Sequence, residues 1–280
     1  MQTVSILGGG WVGYPLGLFL FEEGYTVKIS TTSAEKLALY NRDGLNPFLI
    51  NLKSNEPAQL TNFLDTDYLV VCIPPSLKYQ SSEDHISQIQ FLCTQIEKHS
   101  IKKIIYLSST SIYKEENREV LESDAMQMDD YSNKTIGAVE EMFRAFANSY
   151  ILRCGGLTGY DRKLLKFFVG RENLPEGNCP VNLLHRDDLL SVISLIIKSD
   201  IKGEIFNVCS PLHPSKSVFY TNIAKQDGVP APSFAMDDYA NFKIVIPEKL
   251  CQTLPYTFKF PDPLLYSYDD SQIPRTDKTQ

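Results

Sequence analysis

The sequence predicts an α/β fold in which a doubly wound parallel sheet is combined with a smaller C-terminal lobe. A glycine-rich turn between residues 8 and 13 joins a short apolar run to a helical pattern. Further apolar runs then alternate with helical patterns, which is typical of a parallel sheet. Beyond residue 155 the elements become shorter and the loops longer. We therefore expect a first domain at residues 1–155 and a smaller lobe at residues 156–280 that interleaves with it.

The first strand ends in a glycine turn that is typical of dinucleotide binding. Gly8, Gly10 and Gly13 have the spacing G-x-G-x-x-G between a strand and a helix, the context in which this spacing is meaningful. Gly8 would allow the tight turn, Gly10 the approach of a pyrophosphate, and Gly13 close packing of the helix on the strand. The helix N-terminus would offer unpaired N–H donors to the phosphates. We predict a Rossmann-type NAD(P) site that includes these glycines, Trp11 and Val12; a glycine turn without a ligand is the alternative.

The second strand is predicted at residues 25–30, and the residues at its end favour NADP over NAD. An acidic residue about 20 positions after the glycines would accept hydrogen bonds from the ribose 2′-OH of NAD. Hydroxyl side chains stand there instead: Ser30, Thr31, Thr32 and Ser33. Together with Lys36 they could receive a 2′-phosphate, so we expect NADP as the coenzyme and keep NAD as the alternative. Ser33 could also cap the helix predicted at residues 34–40.

The later elements follow in alternation. Apolar runs predict strands at residues 46–51, 67–73, 103–107 and 150–153, and periodicity predicts helices at residues 81–99 and 131–148. In the smaller lobe we expect helices at residues 163–169, 187–199, 214–227 and 247–250 and strands at residues 181–184, 204–209 and 243–246. The polar segment at residues 114–130 is predicted to be a loop, with Asp129 or Asp130 as the cap of the helix that follows.

The ends of two strands should complete the coenzyme site. The strand at residues 67–73 stops at Ile73, Pro74 and Pro75, because proline can neither continue a helix nor donate to a sheet ladder. In open α/β sheets the carboxyl ends of the strands form the rim where ligands bind. We therefore include these three residues, and Leu107 at the end of the fifth strand, in the coenzyme site.

Composition and charge argue against several other classes of protein. The net charge of −7 and the absence of a Lys/Arg stripe argue against nucleic-acid binding. An apolar run of about 18 residues, which a membrane span needs, does not occur, and we expect no signal peptide. The six cysteines and four histidines are scattered without metal-ligand spacing. We expect a cytoplasmic protein that acts on a small molecule without a metal, and we keep a homodimer as an open alternative.

Five segments, in this order, resemble a known family: the extended or atypical short-chain dehydrogenase/reductases of the NAD-dependent epimerase/dehydratase type. Residues 8–13 fit its glycine motif, and residues 106–113 are similar to its SSxxVY segment. Residues 152–159, 182–189 and 203–208 are similar to its LRxxxxYGPG, NxIHxxDL and GxxYNV segments. The resemblance covers nearly the whole chain.

The resemblance implies hydride transfer with a nicotinamide coenzyme and a catalytic Ser, Tyr and Lys. In the family, the Ser orients the substrate oxygen, the Tyr transfers a proton, and the Lys lowers the pKa of the Tyr. Ser109 matches the family's Ser, four residues before Tyr113. The nearest candidates for the Tyr and the Lys are Tyr131 and Lys134. They are three residues apart, whereas the family pattern is Y-x-x-x-K, but residues i and i+3 still share a helix face.

A second alignment removes this dyad. If Glu140 matches the acid that usually follows the family's Lys by four residues, the Lys position falls on Ile136 and the Tyr position on Ser132. The first alignment favours an enzyme with a Tyr131/Lys134 dyad. The second favours a protein of the same fold that binds the coenzyme and has lost this proton-transfer pair.

Two arginines are candidate substrate ligands. Arg153 ends the sixth strand and could face a substrate phosphate or pair with a carboxylate. Arg162 lies where the family often holds an anionic sugar nucleotide, although the GPGR pattern is degraded at residues 159–162. We expect His185 and Asp188 to brace the lobe and cap a helix rather than to catalyse.

The sequence therefore predicts an NAD(P)-dependent oxidoreductase or epimerase-like enzyme. It would act by hydride transfer on a small hydroxyl- or carbonyl-bearing substrate, with sugar nucleotides among the candidates. The alternative is a catalytically impaired dinucleotide-binding sensor or regulator of the same fold.

Overall fold

The structure is a computed structural model that describes residues 1–54, 56–74, 81–235, 241–266 and 268. Its strands are, in chain order, β1 (Thr3–Leu7), β2 (Thr26–Thr31), β3 (Asn46–Leu49), β4 (Tyr68–Val71), β5 (Lys103–Ser109), β6 (Arg118–Val120), β7 (Ser149–Cys154), β8 (Gly156–Thr158), β9 (Leu183–His185), β10 (Ile205–Val208) and β11 (Lys243–Val245). Its α-helices are α1 (Gly13–Glu22), α2 (Glu35–Arg42), α3 (Pro57–Leu64), α4 (Ser82–Ile96), α5 (Lys134–Arg144), α6 (Arg186–Lys198), α7 (Lys216–Asp227) and α8 (Glu248–Thr253).

Seven strands form one parallel sheet in the order β10-β7-β5-β4-β1-β2-β3. The predicted α/β fold with a parallel sheet is confirmed. The chain leads from β1 towards β3 on one side of the sheet and from β4 towards β10 on the other. The strand order therefore reverses between β1 and β4, and ligands of such sheets bind beyond the carboxyl ends of the strands at this point.

Both faces of the sheet are covered, because neighbouring side chains of a strand point to opposite faces. Val70 packs into an apolar cluster with residues of α1 and α6, whereas Leu69 and Val71 pack into a second cluster with residues of α3, α4 and α5. Strands buried on both faces are apolar over most of their length, as the sequence shows. Among the described helices, none combines the length and the apolar character needed to cross a membrane.

Strands from the two halves of the chain share sheets. β10 pairs with β7 and forms one edge of the main sheet, while β11 pairs with β6 from the first half. β8 and β9 pair with each other. The remaining part of the second half has its own apolar cluster around Phe219 and Tyr220 of α7.

Several short elements differ from the prediction. The helix α3, which begins at Pro57, was not predicted, and the segment predicted as a loop before α5 contains β6. The helix α5 begins at Lys134 and not at residue 131, because the side chain of Asn133 accepts a hydrogen bond from the N–H of Ile136 (3.1 Å) and caps it. The helix predicted at residues 163–169 is a single 3-10 turn, Leu164–Phe167.

A buried ion pair joins β7 to α5. The side chains of Arg153 and Glu140 are both fully buried, and Arg153 Nη2 lies 2.7 Å from Glu140 Oε2. Arg153 Nη1 also donates to the hydroxyl of Tyr113 and to the carbonyl of Glu122, each at 2.9 Å. The guanidinium thus holds the segment after β5 against the helix. The sequence left open whether Arg153 faces a substrate or pairs with a carboxylate, and the structure gives the carboxylate.

We expect Glu140→Gln to destabilise the protein strongly. The substitution removes the charge that compensates Arg153, and an uncompensated buried charge costs about 3–5 kcal/mol of the free energy of unfolding. Urea denaturation followed by circular dichroism measures this change. The matched control is Arg42→Ala, which breaks the pair between the exposed Arg42 and the half-buried Asp43 (3.1 Å) and should cost less than about 1 kcal/mol. Equal losses for the two variants would contradict a structural role of the buried pair.

Candidate functional site

A cavity of about 960 Å³ opens at the carboxyl ends of the central strands. The glycine turn forms one wall, and the ends of β5 and β7 form the floor. Residues of the second half of the chain form the opposite wall. The sequence-predicted residues that line it are Gly8, Gly10, Trp11, Val12, Gly13, Pro74, Leu107, Ser109 and Arg162. The cavity thus brings the predicted coenzyme turn and the predicted catalytic serine together.

The glycine turn requires glycine at positions 8 and 13, for two different reasons. Gly8 has a φ of +107°, which favours glycine, and a Cβ on Gly13 would lie 2.1 Å from the carbonyl oxygen of Gly8. A side chain at position 13 would therefore push α1 away from β1. Gly10 is different, because nothing lies within 4 Å of the position where its Cβ would stand. The space above Gly10 is the part of the cavity that a ligand could enter closely.

The hydroxyls at the end of β2 have two different roles. Ser30 is buried, and its Oγ accepts a hydrogen bond from the N–H of Gly8 (2.8 Å), so it fixes the glycine turn. Thr31 is also buried, and its Oγ1 accepts from the N–H of Ser33 (3.0 Å). Thr32 is exposed and Ser33 is half-buried, so these two remain accessible next to the turn. The side chain of Ser33 does not cap α2, whose N-cap is Ala34.

Ser109 lies at the end of β5, half-buried at the cavity floor. Its Oγ accepts hydrogen bonds from the hydroxyl (3.1 Å) and the N–H (3.2 Å) of Ser111. The Ser109 O–H is left to donate. A hydroxyl whose acceptor positions are filled in this way is suited to donating a hydrogen bond to a ligand oxygen.

Tyr131 and Lys134 are not among the cavity-lining residues. The ring of Tyr131 is buried, and its hydroxyl donates to Glu141 Oε1 (2.5 Å). Burial and this carboxylate raise the pKa of Tyr131 to about 12, whereas a proton-transferring phenol needs a lowered pKa. Lys134 is exposed, and its ammonium donates to the carbonyl of Met128. The structure therefore does not give this pair the placement that the family's dyad requires.

The side chain that α5 gives to the cavity is Ile136. This is the position to which the second alignment assigned the family's Lys, and Ser132, the corresponding Tyr position, is exposed. Glu140 lies one helical turn after Ile136 and is buried against Arg153. The Lys position of the second alignment thus lies at the cavity, whereas its Tyr position does not line it.

Four cations line the wall that the second half of the chain contributes: Arg162, Lys166, Lys216 and Lys243. Lys216 forms an ion pair with Glu176. The side chain of Lys243 is only 13% exposed, and its Nζ donates to the carbonyl of Tyr113 (3.1 Å) and to Glu115 Oε1 (3.4 Å). Asp161 and Glu176 line the same wall, so the four cations exceed the carboxylates there by two, and the wall would favour a polar or anionic ligand.

Sequence reasoning missed a contact between the glycine turn and the second half of the chain. Trp11 Nε1 donates to Asp161 Oδ1 (2.7 Å), and the Arg162 guanidinium carbon lies 5.0 Å from the centroid of the Trp11 ring. The guanidinium carbon of Arg186, which is almost fully buried, lies 4.9 Å from the same centroid and 4.3 Å from that of Tyr160. The sequence feature that could have indicated this contact is Trp11 itself, a large side chain inside a glycine motif where a small residue would be sufficient.

The remaining predicted residues have structural positions. Ile73 is half-buried and packs on the second apolar cluster, and Pro75 lies outside the described residues. His185 Nδ1 accepts from the N–H of Asp187 and so caps α6. Asp188 is buried and accepts from the N–H of Lys259 (2.7 Å). In the part of the chain that the structure describes, no cluster of three or more His, Cys, Asp or Glu side chains could hold a metal ion.

Comparisons with known proteins show what this chain is similar to. No protein-family model matches it. Protein YeeZ of Escherichia coli (strain K12) is 30% identical over 271 residues, which cover 95% of this chain and 98% of YeeZ. A putative NAD-dependent epimerase/dehydratase from Methylobacillus flagellatus matches in structure with a TM-score of 0.74 and 20% identity, over 93% of this chain and 94% of that one.

The UDP-glucuronic acid 4-epimerase of Bacillus cereus, solved with UDP-glucuronic acid and NAD, matches with a TM-score of 0.75 and 17% identity, over 96% of this chain and 98% of that one. At this level of identity the two solved structures establish the fold, and the resemblance to the epimerase/dehydratase proteins is confirmed at that level. The identity with YeeZ extends over nearly the whole of both chains. The chain therefore belongs to the family of the YeeZ protein, and its fold is that of the NAD-dependent epimerases/dehydratases.

Proposed function

We propose that this protein binds a nicotinamide dinucleotide at its glycine turn and is an NAD(P)-dependent oxidoreductase or epimerase-like enzyme. Its substrate would be a small molecule with a hydroxyl or carbonyl group. One observation carries the proposal: the open space over Gly10 continues into a cavity whose other walls hold Ser109 and four cations. The B. cereus epimerase, which has the same fold, was solved with NAD and a sugar nucleotide, which supports the coenzyme class.

The residues of the cavity suggest how the chemistry would be divided. When bound, the coenzyme would supply or accept the hydride. The Ser109 O–H would donate a hydrogen bond to the substrate oxygen. Because Tyr131 and Lys134 do not line the cavity and Lys243 does, we assign the proton to Lys243, whose Nζ contacts the carbonyl of Tyr113, four residues after Ser109. In a reduction, its ammonium would give a proton to the oxygen as the hydride reaches the carbon.

The second candidate function is a dinucleotide-binding sensor or regulator that does not catalyse. The apolar Ile136 at the cavity wall, in place of the family's Lys, favours it. The hydroxyls and cations in the same cavity favour the enzyme, because a sensor that reads only the coenzyme needs no second polar wall. Binding of coenzyme is common to both candidates, and turnover separates them.

The first prediction concerns coenzyme binding. We expect Gly10→Ala to raise the Kd of NADPH at least tenfold, which corresponds to about 1.4 kcal/mol, since its methyl group would occupy the space of the pyrophosphate. Its free energy of unfolding should change by less than about 1 kcal/mol, because no atom lies near that methyl group. Isothermal titration calorimetry and urea denaturation measure the two quantities. Unchanged binding by a folded Gly10→Ala variant would remove the coenzyme from this turn.

The second prediction concerns coenzyme choice. We expect NADPH to bind more tightly than NADH, because exposed hydroxyls and Lys36 follow β2 where NAD-dependent proteins place a carboxylate. Thr32→Asp should weaken NADPH binding by about tenfold or more through repulsion of the 2′-phosphate, and it should not weaken NADH binding, since a carboxylate can accept from the ribose 2′-OH. Thr257→Asp, an exposed site in the second half of the chain, is the control for added charge. Tighter binding of NADH by the wild type would reverse the assignment.

The third prediction concerns turnover. With a panel of carbonyl compounds and sugar nucleotides, we expect oxidation of NADPH, followed at 340 nm, with at least one substrate. Lys243→Met should lower this turnover by about 100-fold or more, as loss of a general acid does. Lys166→Met, another cavity lysine, is the matched control. Tyr131→Phe should leave turnover unchanged and lower stability by about 1 kcal/mol through the lost hydrogen bond to Glu141.

Each outcome of this experiment decides between the candidates. Coenzyme binding without turnover across the whole panel would favour the sensor. Loss of turnover in Tyr131→Phe, with normal stability, would restore the tyrosine to the mechanism.

A further inference from the structure

We propose that Arg162 binds the pyrophosphate of the coenzyme, and that Trp11 holds its guanidinium in place for this. The sequence predicted Arg162 as a substrate ligand. Here we assign it to the coenzyme instead. It rests on the proposed coenzyme site at the glycine turn.

Trp11 is the residue through which Arg162 reaches the glycine turn. It directly follows Gly10, the glycine with open space above it, and both residues line the cavity. Trp11 is held at two points: its indole Nε1 donates to Asp161 (2.7 Å), and its backbone carbonyl accepts from Arg186 Nη1 (3.3 Å). A side chain that stacks on this ring is therefore held beside the space over Gly10.

The loop after β8 fixes the backbone of Arg162. Its N–H donates to the carbonyl of Gly159 (3.0 Å), and its own carbonyl accepts from the hydroxyl of Thr158 (2.9 Å). Gly159 has a φ of +123°, and a Cβ there would lie 2.8 Å from Nε2 of the buried His185. The loop is thus packed closely against the lobe, and the guanidinium is directed onto Trp11 by its backbone.

The contact of Arg162 with the Trp11 ring uses none of the guanidinium's hydrogen-bond donors. A guanidinium that lies over an aromatic ring uses its face, while its N–H donors point outward in the plane and can bind phosphate oxygens as a fork. In the described part of the chain, no carboxylate or carbonyl accepts a hydrogen bond from the Arg162 guanidinium. The neighbouring carboxylate, that of Asp161, is engaged by Trp11 Nε1.

The other cavity cations do not have this connection. Lys216 is paired with Glu176, and Lys243 contacts Tyr113 and Glu115 beyond the end of β5. Lys166 lies over the ring of Phe167. Among the four cavity-lining cations, Arg162 is the one with a described contact to the glycine turn, through Trp11. The anion expected at the glycine turn is the pyrophosphate of the coenzyme.

The test uses ADP-ribose, which carries the pyrophosphate without the nicotinamide, together with NADPH. We expect Arg162→Gln to raise the Kd of both by about tenfold or more in calorimetric titrations. Arg162→Lys should recover part of the loss, since it keeps the charge without the fork. The control is Arg171→Gln, at an exposed arginine outside the cavity lining, which should bind both ligands as the wild type does. Trp11 is the only tryptophan in the sequence, so its emission gives a second, site-specific reading of each titration.

The salt dependence of Kd shows whether Arg162 contacts the pyrophosphate directly or affects binding only through Trp11. If Arg162 meets the pyrophosphate, log Kd should depend less steeply on log salt in Arg162→Gln than in the wild type, because one charge contact is lost. An unchanged slope, or an unchanged Kd for ADP-ribose in a wild type that binds it, would overturn the inference and return Arg162 to the substrate side. If the wild type binds neither ADP-ribose nor either coenzyme, the proposed function itself is wrong.

Discussion

The rotation of α5 about its axis depends on the buried pair between Glu140 and Arg153. Glu140 accepts from the guanidinium and from the hydroxyl of Ser108 inside the core, so the helix face that carries it must point at the sheet. Ile136 lies one turn earlier on the same face and therefore reaches the cavity. Tyr131 precedes the helix, packs its ring against Gly137 and donates its hydroxyl to Glu141, and it does not line the cavity. The burial of the Glu140 carboxylate therefore determines that α5 presents the apolar Ile136 to the cavity.

The glycine turn and the sheet could be predicted because both depend on residues that are close together in the sequence. A glycine at position 13 is required by contact with a carbonyl five residues earlier, and strands buried on both faces show as unbroken apolar runs. The pairing of β6 with β11 could not be predicted, because two three-residue strands from distant parts of the chain leave no periodic pattern. The helix α3 was missed for a related reason: it spans eight residues and buries three of them.

The placement of the charged residues was harder to predict than the fold. The sequence shows that Arg153 and Arg162 end a strand and a loop, but it does not show which acceptors lie within reach. Arg153 meets a carboxylate from a neighbouring helix and becomes part of the core, whereas Arg162 meets an indole and stays at the cavity. Likewise, Ser30 was expected to face a ligand, and its hydroxyl serves the backbone of Gly8 instead. These partners are set by tertiary packing.

The edge position of β10 has a consequence for how the chain acquires its structure. All six residues of β7 are buried, yet its outer hydrogen-bonding partner is a strand that lies about 50 residues further along the chain. In a nascent chain that has emerged only as far as residue 155, β7 would be an unpaired, apolar edge strand. Such a strand can pair with other chains and cause aggregation. The seven-stranded sheet can therefore be completed only after residues 205–208 have been synthesised.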